Sequence, residues 1–311
     1  MRPLILVLPL VSGFAGACAT DPPFHADRSL LAPWSEEAQS RFPAPPYAAR
    51  YRRSAKSLTY VASRHEHTPG CATFAVVERE FTHLDPEIVV IEGTATADGA
   101  SPAPYRRWVE SMPPDGDWPG GEAAWSASLA MARGIPFLGG EPGPAEIRAG
   151  MAATPFDRRD LLLFYVVRQI PQWKRTGEDR RRSFADLYAE VLDHQARAYE
   201  LDRATLPDPE GFAAWYAEKN GRPFEYGAIT PQESAPIAGE DALYTNRISA
   251  AVGLVRDSHL ANLLADLLNR HDRVLVVYGA GHHAQQADVL QAMLGLPIEM
   301  APAEGQGLHR P

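Results

Sequence analysis

Residues 273–283 read Arg-Val-Leu-Val-Val-Tyr-Gly-Ala-Gly-His-His. An unbroken apolar run from Val274 to Tyr278 is the pattern of a strand buried on both faces of a parallel sheet. The glycines that follow let the backbone turn tightly, and a helical pattern runs on from residue 284 to 294. Strand, glycine turn and helix in this order point to an α/β fold.

The same grammar extends outward from this stretch. A long helix is expected over residues 246–270, immediately upstream. Glu87-Ile88-Val89-Val90-Ile91-Glu92-Gly93 is a second near-continuous apolar strand. Ser57–Ala62 is a shorter, partly β-branched one, and between them Phe74, Val77, Phe81 and Leu84 recur at helical spacing. Residues 122–133 read as a helix leading into a strand at 135–139, and a last short strand is expected at 296–300. Residues 94–121, rich in proline and glycine, read as a loop over the sheet edge. From Asp157 the pattern stays helical to about residue 220. The expected architecture is α/β, with a central, mainly parallel sheet flanked by helices and a helical insertion or cap at 157–220. Arg180-Arg181-Arg182 reads as a solvated face of that insertion.

Composition fits a globular chain of 311 residues, 45% hydrophobic and 22% charged. A formal charge of −9 argues against nucleic acid as a partner. Two cysteines cannot build a disulfide framework, so a metal site would rest on histidine and carboxylate.

Residues 1–18 combine one basic residue, a short apolar run and a small-residue boundary before Cys18, the three parts of an export signal. Small residues directly before Cys18 also resemble the lipobox of bacterial lipoproteins. Lipidation at Cys18, a periplasmic location and membrane attachment through that anchor alone are the expectations. Residues 19–56, with Pro22-Pro23, Pro33, Pro43 and Pro45-Pro46, read as a proline-rich tether whose aromatics could pack onto the domain. A single domain is then expected at 57–300, with a tail at 301–311.

In an open parallel sheet, functional groups collect beyond the carboxyl ends of the strands. Four such ends carry titratable residues: His65-Glu66-His67, Glu92, Glu141 and His282-His283. They are candidates for metal ligation or acid–base work. The positive end of a helix starting near His282 and His283 would favour neutral imidazoles there. Arg256 is either an ion-paired helix residue or a guanidinium that binds an oxyanion. Glu141 also suits plain turn chemistry, His259 a structural role, and Cys71 packing in the first helix. No nucleophile elbow, phosphate loop, dinucleotide fingerprint or zinc-protease helix is present.

The order of these motifs resembles the superfamily that contains erythromycin esterases, TraB/GumN and Tiki proteins, and ChaN-like haem-binding lipoproteins. The resemblance is carried by Ala62–His65, Pro86–Glu92, Arg256–Asn262 and Val274–His282. It departs from the family at Ala62, where many members have glycine. By position it implies that His65, Glu92 and His282 are the central histidines and acidic residue, and that Arg256 is the helix arginine. Within the superfamily the activities are ester hydrolysis, metal-dependent peptide cleavage and haem binding.

The expected function is therefore an exported hydrolase of an ester or amide bond in a small molecule or peptide. His65 or His282 would activate water, directly or through a divalent metal ion held by His65, Glu92 and His282. Glu92 would be base or ligand, and Arg256 would stabilise the oxyanion. The alternative is a non-catalytic lipoprotein that binds haem or metal, with His67 and His283 also contributing; an envelope scaffold with a degenerate site is a third.

Overall fold

The computed structural model of the chain describes residues 22–113 and 116–303. Among these residues six strands form one sheet: β1 (Tyr47–Arg53), β2 (Lys56–Ser63), β3 (Ile88–Ala95), β4 (Phe137–Glu141), β5 (Arg273–Gly279) and β6 (Glu299–Pro302). The helices are α1 (Glu36–Ser40), α2 (Ala72–Leu84), α3 (Ala103–Glu110), α4 (Gly121–Ala132), α5 (Pro144–Met151), α6 (Arg158–Thr176), α7 (Phe184–Ala198), α8 (Pro209–Asn220), α9 (Tyr244–Arg270) and α10 (Ala280–Leu294). None is long and apolar enough to cross a membrane.

The strand order is β4-β3-β5-β2-β1-β6. The four strands β4, β3, β5 and β2 run parallel, and β1 is antiparallel to both β2 and β6. The chain passes from β2 through α2 to β3 but leaves a gap that β5 fills last. The carboxyl end of β5 is thus flanked by those of β2 and β3, where the winding reverses and a crevice opens.

Alternation along β5 explains its unbroken apolar run. Val274, Val276 and Tyr278 pack toward α9 and α10, while Leu275 and Val277 pack toward α2 and α4. Both faces are covered, so neither set of positions can be polar. On β3 the register slips between Ile91 and Ala95, and Gly93 adopts φ 89°, a conformation open to glycine. Such a bulge re-aims the side chain beside it, here Glu92.

The insertion forms a second apolar core. Leu161, Phe164, Val167 and Ile170 of α6 pack with Leu187 and Tyr188 of α7, Phe212 and Tyr216 of α8, and Ile248 and Val252 of α9. Asp157 and Asp160 form a capping box at the start of α6, and Gly177, at φ 70°, closes its end. Helix α9 joins the two cores: Ile248 and Val252 belong to the cap, whereas Leu260, Leu264 and Leu268 belong to the sheet. Arg256 sits at the hand-over.

The expected tether differs from the structure across residues 22–56. Phe24 is buried and exchanges two hydrogen bonds with Asn269: its N–H donates to Oδ1 (2.8 Å) and its carbonyl accepts from Nδ2 (3.0 Å). Residues 47–53 are the strand β1. The prolines stop short of Tyr47, which leaves a proline-free run whose Tyr47, Ala49 and Tyr51 face one core and Ala48 the other. Part of the expected tail is likewise sheet, because Ala301 pairs with Ala48 in β6. The expected loop at 94–121 contains α3. The export signal and Cys18 lie outside the described residues.

Candidate functional site

The carboxyl ends of β2, β3 and β5 open on a cleft of about 430 Å³ lined by His65, Glu92, Arg256 and His282. All four residues named from sequence as catalytic therefore share one wall system. Arg168 and Phe164 of α6 close it from the cap, and Trp34 and Gln39 close it from the segment expected to be a tether.

Glu92 is the hub. Its Oε2 accepts the Gly279 N–H at 2.8 Å, and its Oε1 accepts Arg256 Nη2–H at 2.9 Å. His282 Nε2 stands 3.7 Å from the same Oε1. Burial by itself would raise this carboxyl, but His282, Arg256, His65 and the Gly279 amide outweigh it and hold Glu92 down at about 2. Gly279 leaves the two side chains their room, since a Cβ would lie 3.2 Å from His65 Nε2 and 3.3 Å from Glu92 Oε2 and push them by a few tenths of an ångström. The close approach that glycine permits in this turn is to the two side chains of the site.

Arg256 is clamped between two strand ends. Its Nε donates to Glu141 Oε2 at 2.6 Å and its Nη2 to Glu141 Oε1 at 2.5 Å, beside the bond to Glu92. Tyr278 Oη donates to Glu141 Oε1 at 3.0 Å. Burial opposes the charge on Arg256, but the two glutamates hold it firmly protonated. Arg256 is thus ion-paired, to Glu92 and Glu141 on neighbouring strands, and Glu141 belongs to the site. Among the described residues Arg256 Nη1 has no protein acceptor, so one edge of the guanidinium remains for a ligand.

Each histidine is backed by a buried carboxylate. His65 Nδ1–H donates to Glu122 Oε1 at 2.7 Å, and Ser63 Oγ–H donates to the same oxygen at 3.0 Å. His65 is 59% exposed while Glu122 is 5% exposed, so the ring reaches the cleft from a buried anchor. The bond to Glu122 is the main cause of a raised pKa for His65, against burial and Arg256, which lower it. His282 Nδ1–H donates to Asp257 Oδ1 at 2.8 Å, and Gln286 Nε2–H donates to that oxygen at 2.7 Å. Burial pulls His282 down, but Asp257 and Glu92 prevail and its pKa is raised. The neutral ring expected from the helix end is overridden by the carboxylate one helix away.

His283 is not part of the site. It is buried, with Tyr47 Oη 2.8 Å from Nδ1 and Tyr51 Oη 2.9 Å from Nε2, and burial depresses it to about 3. Adjacent residues on a helix point about 100° apart, so His282 faces the cleft and His283 the core. His67 also stays out of the central cleft. Its Nδ1–H donates to the Trp118 carbonyl at 3.2 Å, and it lines a neighbouring groove of about 870 Å³ together with His65, Glu92 and Glu122. His259 bridges Glu146 and Thr96, a structural tie. Cys71 is the N-cap of α2, where burial raises its thiol.

The metal donor set also changes. His65, Glu92 and Glu122 each offer an atom within 4.8 Å of the others; His282 is outside this group. These donors fit an ion only in part. Glu92 already accepts from Arg256 and Gly279, and Glu122 Oε1 from Ser63 and His65, which leaves His65 Nε2 and Glu122 Oε2 as the ligand atoms without a protein partner among the described residues. Sequence reasoning missed Glu122, Asp257 and Arg168 as site residues. Glu122 opens a helix 30 positions beyond Glu92, and Asp257 was visible only as a neighbour of Arg256. No protein-family model matches this sequence, and neither the curated proteins nor the solved structures provide a match.

Proposed function

We propose that the chain is an exported hydrolase of ester or amide bonds, with His65 as general base and His282 as general acid. The observation that supports this most is the pair of imidazoles, each held at Nδ1 by a buried carboxylate, on a cleft shared with an arginine-clamped glutamate. A carboxylate at Nδ1 fixes the tautomer and stabilises the imidazolium that forms when Nε2 takes a proton.

In the forward reaction neutral His65 removes a proton from water through Nε2 as the oxygen attacks the carbonyl carbon. The tetrahedral oxyanion meets the free edge of Arg256 and the first N–H groups of α10, which lack intrahelical acceptors and open on the cleft at Ala280–His282. Protonated His282 then gives its Nε2 proton to the leaving oxygen or nitrogen as the acyl bond breaks. Net transfer of the His65 proton to His282 resets the site. Glu92, at a pKa of about 2, is too weak a base to abstract that proton and acts as the electrostatic anchor of Arg256 and His282.

The His65, Glu92 and Glu122 cluster favours a second reading, in which a divalent ion there supplies Lewis acidity and the same His65 remains the first ligand. The charged walls suit a polar scissile bond better than the apolar face of haem. The test is turnover of p-nitrophenyl esters and of a peptide library by His65→Ala and His282→Ala proteins. Each substitution should cost about 10²- to 10⁴-fold in kcat in a protein that still unfolds cooperatively. Full activity in both variants overturns the proposal. Activity that is lost to a chelator and restored by zinc assigns the metal reading.

A further inference from the structure

Arg168 projects from the cap into the place where three hollows meet: the central cleft with Arg256, the groove with Glu122, and a smaller pocket with Glu141. Every other strongly basic group around this junction is engaged. Arg256 is held by Glu92 and Glu141, Lys174 Nζ donates to the carbonyls of Gly227 and Ile229, and Arg175 donates to Gln172. Among the described residues, Arg168 has neither an ion-pair partner nor a protein acceptor for its guanidinium. The surrounding cleft walls and the neighbouring Arg256 charge work against its protonated form, while Glu141 and Glu92 favour it.

A guanidinium that is open to water, unpaired and set at a cleft beside a second cation is free to take an incoming oxyanion as its partner. The helix geometry gives that anion a direction. Arg168, Gln172 and Arg175 lie four and three residues apart on α6 and line the same groove, opposite His65 and Glu122.

We propose that Arg168 is the recognition residue of an oxyanion subsite, and that the substrate carries a carboxylate or phosphate close to its scissile bond. The planar fork of arginine matches either group bidentately. The substrate class rests on the hydrolase reading, whereas the anion site itself does not.

Calorimetric titration of the full chain with glutarate and with inorganic phosphate tests the site without turnover. Binding of either anion should weaken about tenfold or more in Arg168→Gln and recover partly in Arg168→Lys. Because the side chain is water-accessible, an unchanged melting profile is expected and checks the fold. Preference for glutarate assigns a carboxylate substrate and preference for phosphate a phosphorylated one. Equal affinity in wild type and Arg168→Gln, or no binding of either anion, overturns the proposal whether or not the protein hydrolyses esters. Hydrolysis supplies the second readout. Arg168→Gln should raise KM for p-nitrophenyl hemisuccinate about tenfold or more relative to KM for p-nitrophenyl butyrate, and equal effects on both esters also overturn the proposal. Intact anion binding with no hydrolysis by the wild type would sink the hydrolase reading and leave the subsite standing.

Discussion

At the scale of single residues the site is a set of paired charges, and the proton inventory follows from the pairs. His65 must be neutral to accept a proton, and its bond to Glu122 lifts its pKa above the ordinary 6.5. Activity on a neutral ester should therefore rise with pH through a value above 6.5. Glu122→Gln keeps an acceptor for His65 Nδ1–H but removes the negative charge. The limb should then move to lower pH, with a loss of roughly 10- to 100-fold in kcat. A pH–rate profile of kcat/KM decides this, and an unmoved limb would mean that His65 is not the base. The contrast between His282 and His283 belongs to the same scale. Two adjacent imidazoles differ because one meets Asp257 and the other is shut between tyrosine hydroxyls.

At the scale of elements, the first strand carries more than its proline-rich approach suggests. β1 lies between β2 and β6, and it brings both tyrosines that satisfy His283. A neutral imidazole has one donor and one acceptor, so one tyrosine accepts from it and the other donates to it. Tyr51→Phe preserves the packing but leaves His283 Nε2 without a partner, which should cost about 1–3 kcal/mol of unfolding free energy. Denaturant titration measures the loss, and a variant as stable as the wild type would show that this hydrogen bond is dispensable. A tether would tolerate the change, whereas a core strand does not. The β3 bulge has a comparable role, since Gly93 lets a strand buried on both faces turn a carboxylate into the cleft.

For the whole molecule, Glu92 and Arg256 couple the two cores. Arg256 lies on α9 between its cap half and its sheet half, and its glutamate partners lie beside the bulge of β3 and at the end of β4. Glu92 is held at about 2 against an ordinary value of 4.5. The folded protein thus binds fewer protons here than the unfolded chain. That contribution is fully present above pH 4.5 and is lost as the pH falls toward 2, on the order of a few kcal/mol. Glu141 is lowered as well and adds in the same direction. Unfolding free energies measured between pH 5 and pH 2 should fall steeply, and Glu92→Gln should flatten the slope while lowering stability at neutral pH. A variant that keeps the wild-type slope would show that other carboxylates govern acid unfolding.

The α/β architecture, and the placing of His65, Glu92 and His282 near the carboxyl ends of the strands, are legible in the amino-acid sequence. Strands buried on both faces read as unbroken apolar runs, and their polar stops mark where the sheet ends. It also placed Arg256 on a long helix. Only the tertiary structure decided which carboxylate stands behind each histidine, because Glu122 and Asp257 lie 57 and 25 positions away from their partners. The same holds for the removal of His283 to the core, the packing of residues 22–56, and the meeting of Arg168 with the cleft. Local periodicity records which face of an element is buried. It does not record what is packed across that face, and the chemistry of this site is made of such contacts.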